Sequence, residues 1–76
     1  MACDLEGSGR CDGSLYRFRG GHLVRCERHV KLQAFWSDLP VWASSDFEDW
    51  ERSLDPAQEG MILRGRVIDS LYWEEV

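Results

Sequence analysis

The sequence predicts a small α+β fold in a single domain, and three observations lead to this prediction. First, a chain of 76 residues has room for one hydrophobic core. A chain this short buries only about 60% of its unfolded surface and is marginally stable without an additional constraint. Second, two short runs of β-forming residues flank a pair of glycines, as in a β-hairpin. Third, two later segments carry the apolar periodicity of helices.

The N-terminal half is predicted to contain a loop, a hairpin and a helix, in that order. Residues 3–14 include three glycines and have no hydrophobic period, which favours a loop. The runs 15–19 and 22–26 are joined by two glycines, which can adopt the positive φ angles of a tight hairpin turn. Over residues 26–36 the apolar positions recur with a period near 3.6 residues, which predicts a helix.

The C-terminal half is predicted to begin with an amphipathic helix. Ser45 and Glu48 fit the S-x-x-E capping box, in which each side chain accepts a hydrogen bond from a free backbone N–H of the first turn. Phe47, Trp50 and Leu54 follow at spacings of three and four residues. One face of this helix is therefore apolar and the other acidic.

Residues 56–75 admit two interpretations. Asp55 and Pro56 resemble an N-cap followed by proline at the first helical position, and the apolar residues beyond them fit a helix. Two glycines in the same stretch weaken a helix, and its β-branched residues also suit strands. We favour strands over residues 61–68 and 71–75, with a helix as the alternative.

The charge of the chain is distributed unevenly. Residues 1–35 carry six basic and four acidic side chains, for a net charge of +2, whereas residues 36–76 carry three basic and ten acidic side chains, for a net charge of −7. All three cysteines and both histidines belong to the basic half. The chain thus divides into a cysteine-bearing basic half and an acidic half rich in tryptophan.

Three cysteines and a histidine of the basic half form a candidate metal site. Cys26 and His29 are three residues apart at the start of the predicted helix, so both side chains can reach one ion. Cys3 and Cys11 flank a loop that contains glycines, and the hairpin can bring them to the same place. Zn²⁺ prefers four tetrahedral ligands of this kind. His22 is an alternative to His29.

A loop with two ligands, a hairpin, and a helix with two more ligands in its first turn follow one another over about residues 3–36. This order resembles the treble-clef zinc finger, and the resemblance implies a structural Zn²⁺. Treble clefs usually begin with C-x2-C, whereas Cys3 and Cys11 have the spacing C-x7-C. We expect one domain, residues 1–76, in which 3–36 form the zinc-binding half and 37–76 the acidic, tryptophan-rich half.

The sequence does not predict an enzyme. Four strong ligands close the coordination sphere of zinc, whereas a catalytic zinc keeps one position open. The chain has neither an H-E-x-x-H motif nor a G-x-S-x-G turn. We therefore expect no catalytic residues, and no cofactor other than structural zinc.

The acidic half is a candidate surface for a protein partner with a basic surface. Tryptophan is enriched at the energetic centres of interfaces, and acidic surfaces attract basic partners. In size and charge the chain resembles inhibitors encoded by phages and mobile elements, such as anti-CRISPR proteins. The candidate partner-binding residues are Asp46, Glu48, Asp49, Trp50, Glu51 and Trp73. An exposed tryptophan face would also suit a homodimer.

A nucleic-acid-binding zinc finger is the alternative function. Lysines and arginines that contact phosphates supply most of the non-specific affinity for nucleic acid. The candidates on the hairpin and helix are Arg17, Arg19, Arg25, Arg28 and Lys31. The overall net charge of −5 is unusual for such a domain.

The compartment follows from the absence of targeting segments in the sequence. No apolar run approaches the roughly 20 residues of a membrane span, and the first ten residues lack the apolar stretch of a secretory signal. We expect a cytoplasmic protein without a membrane partner, in a host cell if it is phage-encoded.

Overall fold

The structure is a computed structural model that describes residues 2–5, 10–37 and 45–76. It confirms the α+β class. In chain order the elements are β1 (Leu15–Phe18), β2 (Val24–Cys26), α1 (Glu27–Trp36), α2 (Ser45–Ser53), α3 (Pro56–Gly65) and β3 (Trp73–Glu75). The sheet is antiparallel with the order β2-β1-β3, so the last strand lies beside the first.

The predicted hairpin forms β1 and β2. Gly20 adopts a φ of 82° in the turn, a conformation that glycine reaches without steric cost. The backbone N–H of Phe18 donates to the carbonyl of Leu23 at 2.8 Å and closes the hairpin. Leu15 pairs with Cys26 at the other end. The hairpin therefore places Cys26 at the junction between the sheet and the following helix.

Helix α1 confirms the helix predicted over residues 26–36. The sulfur of Cys26 accepts a hydrogen bond from the backbone N–H of His29 at 3.4 Å, so this cysteine caps the helix N-terminus. Val30 and Leu32 are buried. The helix begins directly at the end of β2, which leaves no connecting loop between them.

The strand predicted over residues 61–68 is wrong, because helix α3 runs through most of this segment. Its first turn is stabilised by Asp55, whose carboxylate accepts a hydrogen bond from the N–H of Gln58 at 2.7 Å. Ile62 is buried in the core while its neighbour Met61 is 65% exposed. The capping signal and this one-sided burial outweigh the two glycines, the second of which ends the helix.

Of the strand predicted over residues 71–75, only Trp73–Glu75 forms a strand, which is β3. The N–H groups of Tyr72 and Trp73 both donate to the carbonyl of Asp69, which forms a turn before β3. No second C-terminal strand accompanies β3 in the described part of the chain. It pairs with β1 instead, and the N–H of Val76 donates to the carbonyl of Leu15 at 3.0 Å. The acidic half thus contributes the third strand of the hairpin's sheet.

Buried residues form two clusters. Phe47 lies in the first, where its ring contacts those of Trp36 and Trp50 at centroid distances of 5.5 and 5.7 Å. Trp42 lies outside the described residues. The first cluster contains Cys3, Leu5, Cys26, Leu32, Phe47 and Ile62, and the second contains Leu23, Val30 and Trp73.

Among the residues that the structure describes, no helix combines the length and the apolar character that crossing a bilayer requires.

Two glycines with the same backbone angle provide a matched test of this fold. Gly13 and Gly20 both have a φ of 82°, but a Cβ on Gly13 would lie 2.7 Å from the Cβ of Glu27, whereas a Cβ on Gly20 would meet no atom within 4 Å. Gly20→Ala should lower the free energy of unfolding by about 1 kcal/mol through backbone strain alone. Gly13→Ala should lower it by about 2 kcal/mol or more, because a steric clash adds to the strain. Chemical denaturation of both variants measures the difference, and equal losses would contradict the described packing.

Candidate metal centre

The four predicted ligands come together at the junction of the hairpin and helix α1. The sulfurs of Cys3, Cys11 and Cys26 and a ring nitrogen of His29 all lie within 4.8 Å of one another. The Nδ1 atom of His29 is 3.4 Å from the Cys3 sulfur, 3.7 Å from that of Cys11 and 3.2 Å from that of Cys26. A tetrahedral zinc ion with bonds of about 2.0–2.3 Å separates its ligands by about 3.5–3.8 Å. The three nitrogen–sulfur distances are therefore close to those of such a site.

Backbone contacts explain how distant segments reach this point. Asp4 lies beside β2, where its N–H donates to the carbonyl of Val24 at 2.7 Å, and its carboxylate accepts from the N–H of Val24 at 2.9 Å. These bonds place the neighbouring Cys3 next to Cys26. The carbonyl of Asp12 accepts a hydrogen bond from the N–H of Arg28 at 3.2 Å, which holds the segment after Cys11 against the first turn of α1.

Three of the four ligands are shielded from solvent. Cys3, Cys26 and His29 are buried, whereas Cys11 is exposed, and no disulfide joins any two of the three cysteines. His22, the alternative ligand, is exposed and does not belong to the cluster. The site is thus largely enclosed, with one side open at Cys11.

The two buried thiols differ strongly in acidity. Hydrogen bonds from Cys3 and from the backbone N–H of His29 lower the pKa of Cys26 to about 3 against the opposing effect of burial. The same interaction with Cys26 and the burial of Cys3 raise the pKa of Cys3. A thiolate is the form of cysteine that binds metal, so one strong donor is already present at neutral pH.

The cluster has the chemistry of a zinc site. Thiolate sulfur and imidazole nitrogen are the donors that Zn²⁺ selects, and a Cys3His set fills a closed tetrahedral sphere. Backbone N–H groups also point at the sulfurs, since Leu5 donates to Cys3 at 3.4 Å and His29 donates to Cys26 at the same distance. These bonds stabilise negative charge on the two sulfurs.

The predicted partner residues do not form one surface. Asp46 and Asp49 are exposed and Glu48 is partly exposed on α2, where Glu48 and Asp49 each lie 3.5 Å from Arg52. Trp50 packs against the first core cluster. Two of the predicted residues, Glu51 and Trp73, are buried, with exposures of 5% and 6%.

The predicted nucleic-acid residues are also dispersed. Arg17 and Arg19 both pair with Glu74, and the hydrogen bond from Arg17 holds the pKa of that carboxylate below its usual value. Lys31 approaches Glu27 at 3.5 Å and donates to the carbonyl of Leu63 at 3.2 Å.

The other two basic candidates, Arg25 and Arg28, are buried. Burial lowers the pKa of Arg25 to about 10, and its guanidinium nitrogens have no hydrogen-bond partner among the described residues. Burial would also lower the pKa of Arg28, but its hydrogen bonds with Glu51 and Glu59 raise it instead. Neither guanidinium is placed to meet a phosphate backbone.

The carboxylate of Glu51 lies beside the candidate metal centre, whereas the sequence predicts Glu51 on a partner-binding surface. It contacts His29 and Arg28 and lies on the buried face of α2. A signal for this position exists, because Glu51 follows the buried Phe47 by four residues and so shares its helix face. The contact with His29 itself depends on how α2 packs against α1.

Comparisons of the chain with protein-family models, with curated proteins and with solved structures find no match. The assignment of this centre therefore rests on the donor atoms and their geometry.

Proposed function

We propose that the protein binds one structural Zn²⁺ through Cys3, Cys11, Cys26 and His29, and that it acts without catalysis by binding another macromolecule. The observation that carries this proposal is the convergence of the four donor atoms within 4.8 Å. These donors come from separate segments of the chain. Such convergence is the requirement for a preformed site in a folded protein.

A structural role for the ion agrees with the number of ligands. Four protein donors leave no coordination position for a water or a substrate. The arrangement also supports a treble-clef-like description, since two ligands precede the hairpin and two lie at the start of the helix that follows it. The unusual spacing between Cys3 and Cys11 is the departure from that family.

A basic protein surface is the partner that the charge distribution favours. Asp46, Glu48 and Asp49 of α2 outnumber Arg52, the cation that lies 3.5 Å from two of them, and the chain carries a net charge of −5. Such a surface speeds association with a basic partner and repels nucleic acid. An inhibitor encoded by a phage or mobile element, such as an anti-CRISPR protein, is the concrete form of this proposal, and only size and charge support it.

Nucleic-acid binding has less support from the same contacts. Of its five candidate residues, Arg25 and Arg28 are buried and Arg17 and Arg19 are paired with Glu74. Phosphate binding would have to compete with these ion pairs.

Removal of the metal should unfold the chain. Structural zinc contributes about 10–16 kcal/mol of apparent binding free energy in finger peptides, more than the net stability of a small domain. We expect elemental analysis to find one zinc per chain, and a chelator to abolish the far-UV circular dichroism of the helices. Cys26→Ser and His29→Ala should lose the metal, while His22→Ala, the matched control outside the cluster, should retain it. A circular dichroism spectrum that survives complete removal of the metal would refute the structural role.

Zinc affinity should fall as the pH is lowered. The raised pKa of Cys3 means that this thiol carries a proton when no metal is bound, and zinc must displace that proton. Cys26, with a pKa of about 3, releases none near neutrality. The association constant should therefore decrease at least about tenfold per pH unit between about pH 8 and pH 6. Competition with a chromophoric chelator measures it, and a constant affinity over this range would contradict thiolate coordination.

Reversal of the acidic charges of α2 should abolish binding to a basic partner. The variant Asp46→Lys, Glu48→Lys, Asp49→Lys changes only side chains that are exposed or partly exposed, so its zinc content and circular dichroism should match the wild type. A partner identified by affinity capture and mass spectrometry should bind this variant at least about tenfold more weakly, with slower association. Glu75→Lys, which changes an exposed acid outside α2, is the control.

Tight, salt-sensitive binding of a DNA or RNA oligonucleotide would favour the nucleic-acid alternative instead, provided that the double variant Arg17→Ala, Arg19→Ala loses it.

A further inference from the structure

The imidazole of His29 has a different neighbour at each ring nitrogen. Nδ1 faces the three sulfurs, whereas Nε2 lies 2.9 Å from a carboxylate oxygen of Glu51. Both side chains are buried, with exposures of 0% and 2%. The NH1 group of Arg28 also lies 3.2 Å from Nε2, but its two hydrogens go to Glu51 and to the backbone carbonyl of Arg10. Because a carboxylate can only accept, Nε2 carries the proton in the contact with Glu51, and Nδ1 presents its lone pair to the sulfurs. The contact thus selects the ring tautomer that binds metal through Nδ1.

The position of Glu51 is itself held by Arg28. The NH1 group of Arg28 donates to the same oxygen of Glu51 at 2.5 Å and to the backbone carbonyl of Arg10 at 2.7 Å. Its Nε donates to Glu59 on α3 at 2.6 Å. Arg28 therefore joins α1 to both α2 and α3 at a buried site. A carboxylate oxygen held by a guanidinium has little freedom to leave the imidazole that binds the same oxygen.

The charges around His29 explain why a histidine is more favourable than a fourth cysteine at this position. Three thiolates and one Zn²⁺ leave a net charge of −1 on the centre. A fourth cysteine would add a second negative charge beside the buried carboxylate of Glu51, and like charges at close range in a protein interior are costly. A neutral imidazole instead donates a hydrogen bond to that carboxylate.

We propose that Glu51 is a positioning residue of the metal centre, which fixes the ring of His29 for coordination through Nδ1 and joins helix α2 to the ion. This inference rests on the proposed zinc function. Partners of this type orient a metal-bound histidine and raise its basicity, and their loss typically weakens metal binding by about 10–100-fold. A residue first assigned to an outer binding surface thus belongs to the interior of the site.

Measured zinc affinities of three variants test the proposal. Glu51→Leu removes the acceptor and should weaken zinc binding by about 10–100-fold. Glu51→Gln keeps an oxygen that can accept a hydrogen bond from Nε2, so this variant should lose less zinc affinity than Glu51→Leu. Glu48→Gln, on the same helix but partly exposed, is the matched control and should bind like the wild type. Equal affinities for the wild type and Glu51→Leu would overturn the positioning role.

A double-mutant cycle separates an effect through His29 from a general loss of stability. In a His29→Cys background the fourth ligand no longer needs orientation by Glu51, so Glu51→Leu should cause no weakening there. The same weakening in both backgrounds would mean that Glu51 acts through Arg28 and the fold, and would overturn the proposal. Failure of the wild-type protein to bind zinc at all would instead refute the proposed function on which the inference rests.

The tautomer itself can be observed without any variant that risks unfolding. Long-range ¹H–¹⁵N spectra of the zinc-loaded wild-type protein report which ring nitrogen of His29 carries a proton. We expect a protonated Nε2 with a slowly exchanging hydrogen and a metal-bound Nδ1. A protonated Nδ1 with the metal on Nε2 would overturn the proposal directly.

Discussion

Convergence of three sulfurs and one imidazole nitrogen within 4.8 Å brings the N-terminal segment, the hairpin and helix α1 to one point. Helix α1 begins at one of these ligands, and the segment around Asp4 aligns along β2 to deliver another. The hydrophobic clusters are small for a chain that must stay folded. A bound ion would supply cohesion that these clusters alone provide only in part.

The division of charge along the sequence does not divide the structure. The acidic half contributes β3 to the sheet of the basic half, and it contributes Glu51 and Glu59 to the buried contacts of Arg28. Metal binding and the packing of α2 are therefore expected to be coupled. A surface presented by α2 would depend on an ion bound by side chains from the other half.

Local signals were sufficient for much of the fold and for the four residues of the candidate metal centre. The two glycines at 20–21 predicted the hairpin, and the spacing of Cys26 and His29 placed both at a helix start. The conformation of residues 61–65 was not determined in this way, because alternating and helical patterns both fit until Ile62 packs into the core. The burial of Glu51 and Arg28 likewise depends on how two helices meet, which sequence spacing alone does not specify. A charged residue near a histidine in space can be far from it in the chain.

Exposure of Cys11 has a kinetic consequence for the centre. Associative exchange of a bound ion requires an incoming donor to approach it, and the other three ligands are shielded. A competing chelator or an electrophilic oxidant would therefore meet the Cys11 sulfur first. The residence time of the ion would then be set by how often the Cys11 thiolate dissociates from it. The affinity for the ion and the rate of its exchange could therefore vary independently of each other.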